Sequence, residues 1–511
     1  MFRTFFLSTL CGCALAACTT AGIPALDGIE NTAAPGSAQT SFALQGEAQI
    51  ILDAAITAAG GTEALNRLRA GETVFDTKTA QLGQGLKPEA NPTFGEPTRR
   101  AVFRSDGLLA IDQYREETVA SRYVHGGLVD WIWFAEANSI ADVDPRLAAN
   151  ILEPSLTSAH LLLDMLDRPE ALRFSGKLST DSGQVLNRLA YADRAGRLWS
   201  VYFDEETQHP QALSTLVAHP QWGDVASEVR FGNFQEVEGV VVSHLTEVYF
   251  GGRPTATSEL ERLVSRSVDR GIFMPQDNWT RVAPLIAGTP APRLLSTEEL
   301  APGIYLIADA VPGYNVMFVA QEDGILILST PQSPQVSRDV MAAVRETLPG
   351  TNFKAAVPTH HHFDYSGGLL GYLQAEVPII TTAGNVSFVE EIALATRNIG
   401  DDRGPPLRAD ILTVTNTLSL GLSDATKVQL INVGPTPGVE EIIVAYLPAI
   451  KALFVADLFS ARTLPLPPAS ESQLLLAEKV RALNLDIEMV IPVHGSPVSA
   501  ADFWASVEAA R

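Results

Sequence analysis

The sequence predicts two folded units of different class: an α+β unit built on an antiparallel sheet, followed by an α/β unit. Two observations carry this. Between residues 72 and 250, apolar and β-branched residues recur with a period of two between Gly-rich joints, the pattern of strands with one buried face. After a Pro- and Ala-rich stretch at 284–293, short apolar runs instead alternate with a helix-length amphipathic segment, the rhythm of strands joined by helices. A chain of 511 residues with 46% hydrophobic content can bury the two cores this requires.

Taken in order, the amino terminus combines Arg3, an apolar run from Phe5 to Ala17, and Leu15-Ala16-Ala17-Cys18. This resembles a bacterial lipoprotein signal with its lipobox, which implies removal of residues 1–17 and a lipid on Cys18. The run is short for a membrane span. Cys11, Cys13 and Cys18 are the only cysteines, so the processed chain can form no internal disulfide and offers no thiolate to a metal. Thr19, rather than Asp, follows Cys18, as in lipoproteins sent to the outer membrane of diderm bacteria. The expected location is the bacterial cell envelope, on a periplasm-facing membrane, with residues 18–40, rich in Thr, Ala, Gly, Pro and Ser, as the tether.

The N-terminal unit is expected over 41–283. Ile50, Ile51, Ala54, Ala55, Ala58 and Leu65 fit a helical period from Glu47 to Leu68, interrupted at Gly60-Gly61. Strands are expected at Glu72–Leu82, Arg99–Tyr114, Ser121–Phe134, Leu186–Ala192, Trp199–Phe203, Ser227–Phe234 and Val240–Phe250. Ala149–Leu166 carries Leu152, Leu156, Leu161, Leu162, Leu163 and Leu166, a stripe suited to packing a helix across one sheet face. The pattern resembles periplasmic lipoprotein-carrier folds, in which a curved sheet wraps a helix, and such a fold implies an apolar ligand.

The C-terminal unit is expected over 294–511, with strands at Gly303–Leu306, Val316–Val319, Ile325–Leu328 and Phe353–Val357, a helix over Pro334–Leu348, and strand and helix alternating to the end. At the end of the Phe353–Val357 strand stands Thr359-His360-His361-His362-Phe363-Asp364-Tyr365-Ser366-Gly367-Gly368, which holds three of the nine histidines. Two imidazoles two residues apart in an extended turn can point the same way, and Asp364 adds an oxygen donor.

These residues resemble the signature His-x-His-x-Asp-His of the metallo-β-lactamase-fold hydrolases. That resemblance implies an αββα sandwich over the C-terminal unit, and metal ligands at His360, His362 and Asp364. Asp457, closing the apolar run Ala452–Ala456, matches the family's bridging aspartate; His494, before Gly495, matches its last histidine. The chain departs at two positions: Tyr365 stands where the family has a histidine, and no histidine occurs between His362 and His494. The second lost position falls on Gly438 or Pro435, depending on the flank used for alignment. One cation site then has His360, His362 and Asp457, and the other Asp364, Asp457 and His494, with Tyr365, Glu440 and Glu441 as candidate substitute ligands. His361 should point the opposite way.

The implied cofactor is zinc, one ion or two, with iron or manganese as alternatives. A water on such a cation has a lowered pKa and attacks a carbonyl or phosphoryl centre, with Asp364 or Asp457 accepting its proton. The expected activity is metal-dependent hydrolysis of a small-molecule substrate whose class the signature does not define. The rival expectation is an inactive binding protein that has lost its metal. A net charge of −23 argues against nucleic acid as a partner.

Overall fold

The computed structural model describes residues 38–511 except 91, 106, 127–128, 145–156, 194–195 and 286–291. The expected lipoprotein signal, Cys18 and nearly all of the expected tether therefore lie outside the described residues, as do the first part of the Ala149–Leu166 stripe and the middle of the 284–293 stretch. The structure is mostly β, in two mixed sheets. Among the described residues no helix is long and apolar enough to cross a membrane.

Helices Ala38–Ala58 and Gly61–Arg67 open the described chain. The break falls on Gly60 and Gly61, at φ 103° and 89°, a backbone region that glycine enters without steric cost. Fourteen strands then form one sheet. Its first half runs back along the chain from Ser139–Val143 to Gly71–Thr79, which pairs with Arg253–Ser265. From there the sheet runs back again to Leu172–Ser179.

Registration explains its core. Val102, Ile111, Tyr123, Ile132 and Ala141 stand directly opposite one another across five consecutive antiparallel strands. Because side chains alternate between faces, this row points one way and packs, with Phe75 and Phe231, against Leu52, Ala55, Leu65 and Leu162 of the helices. The Leu-rich stripe forms a helix over Ser158–Asp167, with Thr157 as its N-cap. Two expected strands, Arg99–Tyr114 and Ser121–Phe134, are each split by a turn. Five further strands, Ser139–Val143, Leu172–Ser179, Pro210–His219, Arg253–Ser265 and the two-residue Thr280–Arg281, lie where polar residues masked the alternation.

The second sheet has two halves. Ile411–Val414, Ile379–Thr382, Phe353–Val357, Gly324–Leu328 and Tyr314–Gln321 form one half; Met489–Gly495, Ala452–Ala461, Ile443–Leu447, Val428–Asn432 and Thr417–Leu420 form the other. The registered pair Tyr314 and His494 joins them, and the Asn315 amide reinforces the joint by donating to the carbonyls of Pro492 at 2.9 Å and Gly495 at 2.6 Å.

Successive residues of the first half face opposite ways. Ile307, Val316, Phe318 and Ile327 pack on helices Pro334–Thr347, Leu369–Gln374 and Val386–Leu394. Leu306, Met317, Leu326 and Leu328 join the core shared with the second half and with Leu476 and Phe503 of helices Glu471–Ala482 and Ala500–Ala509. The expected alternation of strand and helix to the C-terminus does not hold. From Ile411 to Leu447 four strands follow one another: the joints at 415–416 and 421–427 are short, and 433–442 carries Gly434, Pro435, Pro437 and Gly438, which break a helix.

The two sheets meet at the tip of the Pro210–His219/Gly223–Val237 hairpin. Asp224 Oδ2 accepts the Asn398 N–H at 2.6 Å, the Asp224 N–H donates to Thr396 at 2.7 Å, and Arg397 donates to the Pro220 carbonyl at 3.1 Å. The Gln221 amide donates to the buried Ser366 hydroxyl at 2.8 Å, inside the His/Asp motif itself.

Candidate metal centre

Three chain segments converge at the ends of sheet strands. The Phe353–Val357 strand runs into Thr359–His362, and a single helical turn, Phe363–Ser366, carries Asp364 and Tyr365. The turn is held close to the preceding loop. The Thr330 hydroxyl donates to the Tyr365 carbonyl at 2.8 Å, and a Cβ on Gly367 would sit 2.3 Å from the Gln332 carbonyl oxygen, so close backbone approach is what requires glycine there. Asp457 lies in the Ala452–Ala461 strand and His494 in its parallel neighbour Met489–Gly495.

The result is two groups of donors that share one carboxylate. His360, His362 and Asp457 each offer a ligand atom, all within 4.8 Å of one another; Asp364, Asp457 and His494 do the same. His360 Nε2 and His362 Nδ1 lie 3.1 and 3.6 Å from Asp457 Oδ2. The histidines are buried, whereas the Asp457 side chain is 42% exposed and opens the group to solvent.

The donor chemistry fits a cation. His360 Nε2 is buried beside a carboxylate oxygen yet makes no hydrogen bond among the described residues, although a buried polar nitrogen normally has a partner. Its other nitrogen lies 3.1 Å from the Thr359 hydroxyl. The His494 Nδ1–H donates to the Gly313 carbonyl at 3.2 Å, and the His362 Nε2–H to the Gly85 carbonyl at 3.2 Å. The two carbonyl contacts fix the proton on one ring nitrogen of His494 and of His362 and leave the other to face the cluster with its lone pair, the arrangement that orients metal-binding imidazoles. Imidazole and carboxylate donors with no sulfur suit zinc, iron or manganese.

The electrostatics agree. Burial works to raise the Asp457 carboxyl, but His360, His362 and the Tyr365 hydroxyl outweigh it and hold the group well below the usual carboxylate range. Burial and the Asp457 charge raise Asp364. Burial lowers His360; burial and Arg462 bring His494 down to about 4. Imidazoles that stay neutral near pH 7 are the form that donates to a cation.

Tyr365 occupies its position as a hydrogen-bond donor. It is fully buried, its hydroxyl donates to Asp457 Oδ1, and burial with the charges of Asp457 and Asp364 raises its phenol well above 10. This argues against a phenolate ligand. Glu440 and Glu441 stand outside both groups. Glu441 Oε2 accepts the Gly384 N–H at 2.8 Å, and Glu440 pairs with Lys87 at 3.2 Å. The His361 Nε2–H donates to the Gly85 carbonyl at 2.9 Å, and its ring is absent from both donor groups.

Two contributors were not visible in the motif. Tyr314, opposite His494 in the strand register, donates from its hydroxyl to Asp364 Oδ2 at 3.3 Å. Gln84, in the connection between the Gly71–Thr79 and Thr98–Ser105 strands of the first sheet, donates to Asp364 Oδ1 at 3.4 Å. The apolar–aromatic strand Tyr314–Gln321 could have flagged Tyr314 as a strand-end residue, whereas nothing local marks Gln84.

No protein-family model and no curated protein matches the chain. Among solved structures it is similar to a metallo-beta-lactamase from Pontibacter korlensis at 16% identity, over 42% of this chain and 98% of that one, with a TM-score of 0.33. It is similar to the DIM-1 metallo-beta-lactamase at 19% identity, over 43% and 97%, with a TM-score of 0.33. It is also similar to the stereoselective inverting sec-alkylsulfatase Pisa1 from Pseudomonas sp. at 14% identity, over 42% of this chain and 41% of that one, with a TM-score of 0.31. At these identities and TM-scores, the chemistry assigned to the centre rests on its own side chains.

Proposed function

We propose that the protein is a metal-dependent hydrolase of metallo-β-lactamase-like, αββα type, carried on a lipoprotein tethered through Cys18. The observation that carries the enzymatic reading is the pair of three-donor groups sharing Asp457, with His360 Nε2 buried and without a hydrogen bond among the described residues. The layering of helices outside two facing half-sheets supports the fold assignment.

His360, His362 and Asp457 would hold one cation, and Asp364, Asp457 and His494 a second. A cation bound there supplies a water of lowered pKa and polarises a substrate oxygen. The protein's own part is positional. Thr359, Gly85 and Gly313 orient the three imidazoles, Tyr314 and Gln84 hold Asp364, and the Tyr365 hydroxyl fixes one oxygen of Asp457. Asp364, whose carboxyl is raised by burial and the Asp457 charge, is placed to hold a proton during turnover, and Asp457, open to solvent but held low by its neighbours, is the alternative acceptor.

The test is elemental analysis of the purified chain beside His360→Ala and Asp457→Ala. One or two equivalents of zinc, iron or manganese in the parent, lost in both variants while the fold persists, support the reading. A parent that takes up no ion after reconstitution overturns it in favour of a binding protein. For the tether, a lipid-precursor label should appear on the parent and not on Cys18→Ala; a Cys18→Ala form that stays equally membrane-bound contradicts it.

A further inference from the structure

The first sheet reaches the metal centre through the connection between its Gly71–Thr79 and Thr98–Ser105 strands. There the Gly85 carbonyl accepts from two neighbouring imidazoles at once, His361 Nε2 at 2.9 Å and His362 Nε2 at 3.2 Å, using both lone pairs of one oxygen. Gln84 reaches Asp364, and Leu86 and Lys87 tie the segment down: the Leu86 carbonyl accepts the Glu440 N–H at 2.9 Å, and Lys87 pairs with the Glu440 carboxylate. Four consecutive residues thus touch the centre or the loop beside it.

We propose that Gln84–Lys87 is a positioning element of the metal centre, so that the centre is assembled from both sheets. The chemistry is specific. For His362 to offer Nδ1 toward Asp457 and a cation, its Nε2 must carry the proton, and the Gly85 carbonyl is the acceptor that stabilises that tautomer and ring orientation. Gln84 and Tyr314 hold the two oxygens of Asp364 from opposite sides. This inference rests on the metal-centre reading and adds to it a role for a segment with no ligand of its own.

Position 85 supplies a graded perturbation. A Cβ there would lie 2.8 Å from the Ala90 Cβ, closer than carbon atoms approach, and a single methyl cannot swing aside. Gly85→Ala must therefore shift the segment and its carbonyl, and adding Ala90→Gly removes the clash.

The experiment titrates the full chain with Zn2+ against a competing chelator, and with Co2+ while recording the visible spectrum, in four forms: parent, Gly85→Ala, Gly85→Ala with Ala90→Gly, and Gln84→Ala. Loss of an outer partner of a metal ligand typically weakens the metal about 10- to 100-fold. Gly85→Ala should fall in that range with an altered Co2+ spectrum, the double variant should return toward the parent, and Gln84→Ala should weaken binding less. Parent-like affinity and spectrum in Gly85→Ala, or a loss that Ala90→Gly does not relieve, overturns the positioning role alone. If Gly85→Ala fails to fold, Gln84→Ala, which removes only a side-chain contact, decides: affinity and spectrum equal to the parent overturn the proposal. A parent that binds neither ion overturns the metal-centre reading and this inference with it.

Discussion

Replacing Tyr365 by Phe separates a ligand from a support. The ring is fully buried, 4.5 Å from the His360 ring and 6.2 Å from that of Tyr314, so phenylalanine keeps the packing and removes only the hydroxyl. What is lost is one hydrogen bond to an ionised acceptor. Such bonds contribute about 1.5–3 kcal/mol, and because the Asp457 side chain is 42% exposed, water can replace part of it and leave a cost of about 1 kcal/mol in the metal-free protein. On metal, Asp457 keeps both oxygens but loses an orienting partner, so affinity should fall about tenfold with the number of bound ions unchanged. Metal content by elemental analysis and affinity by chelator competition measure the two quantities separately. Loss of one full equivalent of metal in a folded Tyr365→Phe protein would refute the reasoning, because it would make the phenol oxygen a ligand.

Other outcomes can be checked alongside. Burial, with Arg397 and Arg253 nearby, lowers His219 to about 3, and its Nδ1 accepts the N–H groups of Gln221 and Trp222. The unfolded chain takes up a proton below about pH 6.5 that the folded state refuses, so this contribution is full above that pH and declines from there toward pH 3. Urea midpoints should drop more between pH 7.5 and 5.5 for the parent than for His219→Phe, and equal drops would discount the group. Gln221→Ala leaves the buried Ser366 hydroxyl without its donor and should cost about 1–3 kcal/mol in thermal unfolding, while a variant as stable as the parent would deny that this contact secures the motif turn. Leu162→Ala, in the core between helix and first sheet, should cost about 2–5 kcal/mol by the same measurement with metal content unaltered; a parallel loss of metal would tie that core to the centre.

The parts of the centre readable in the sequence are those whose geometry is local. His360, His362 and Asp364 lie within five residues at the end of a strand, and Asp457 and His494 each belong to an apolar run that announces a buried strand. Tyr365 was legible as a departure, but not its role as donor to Asp457, which depends on a contact between residues 92 apart. Glu440 and Glu441 are near in sequence to the lost histidine, but Gly384 and Lys87 claim their carboxylates. The contacts of Gln84 and Gly85 span 276 to 280 residues, and a Gly in a polar connection carries no periodicity or charge pattern that points to them. In the fold, strands with clean alternation were evident, while Pro210–His219 and Arg253–Ser265, rich in polar residues on both faces, emerge only through their registered neighbours.

The Gly85 carbonyl and the imidazoles it orients belong to different halves of the chain. Full-strength metal capture therefore reports that both halves have folded and docked. A C-terminal fragment beginning after the 284–293 stretch would carry every proposed ligand and still load metal poorly. Attempts to transplant the centre, or to trim the protein to the half that carries the proposed ligands, have to take the first sheet along.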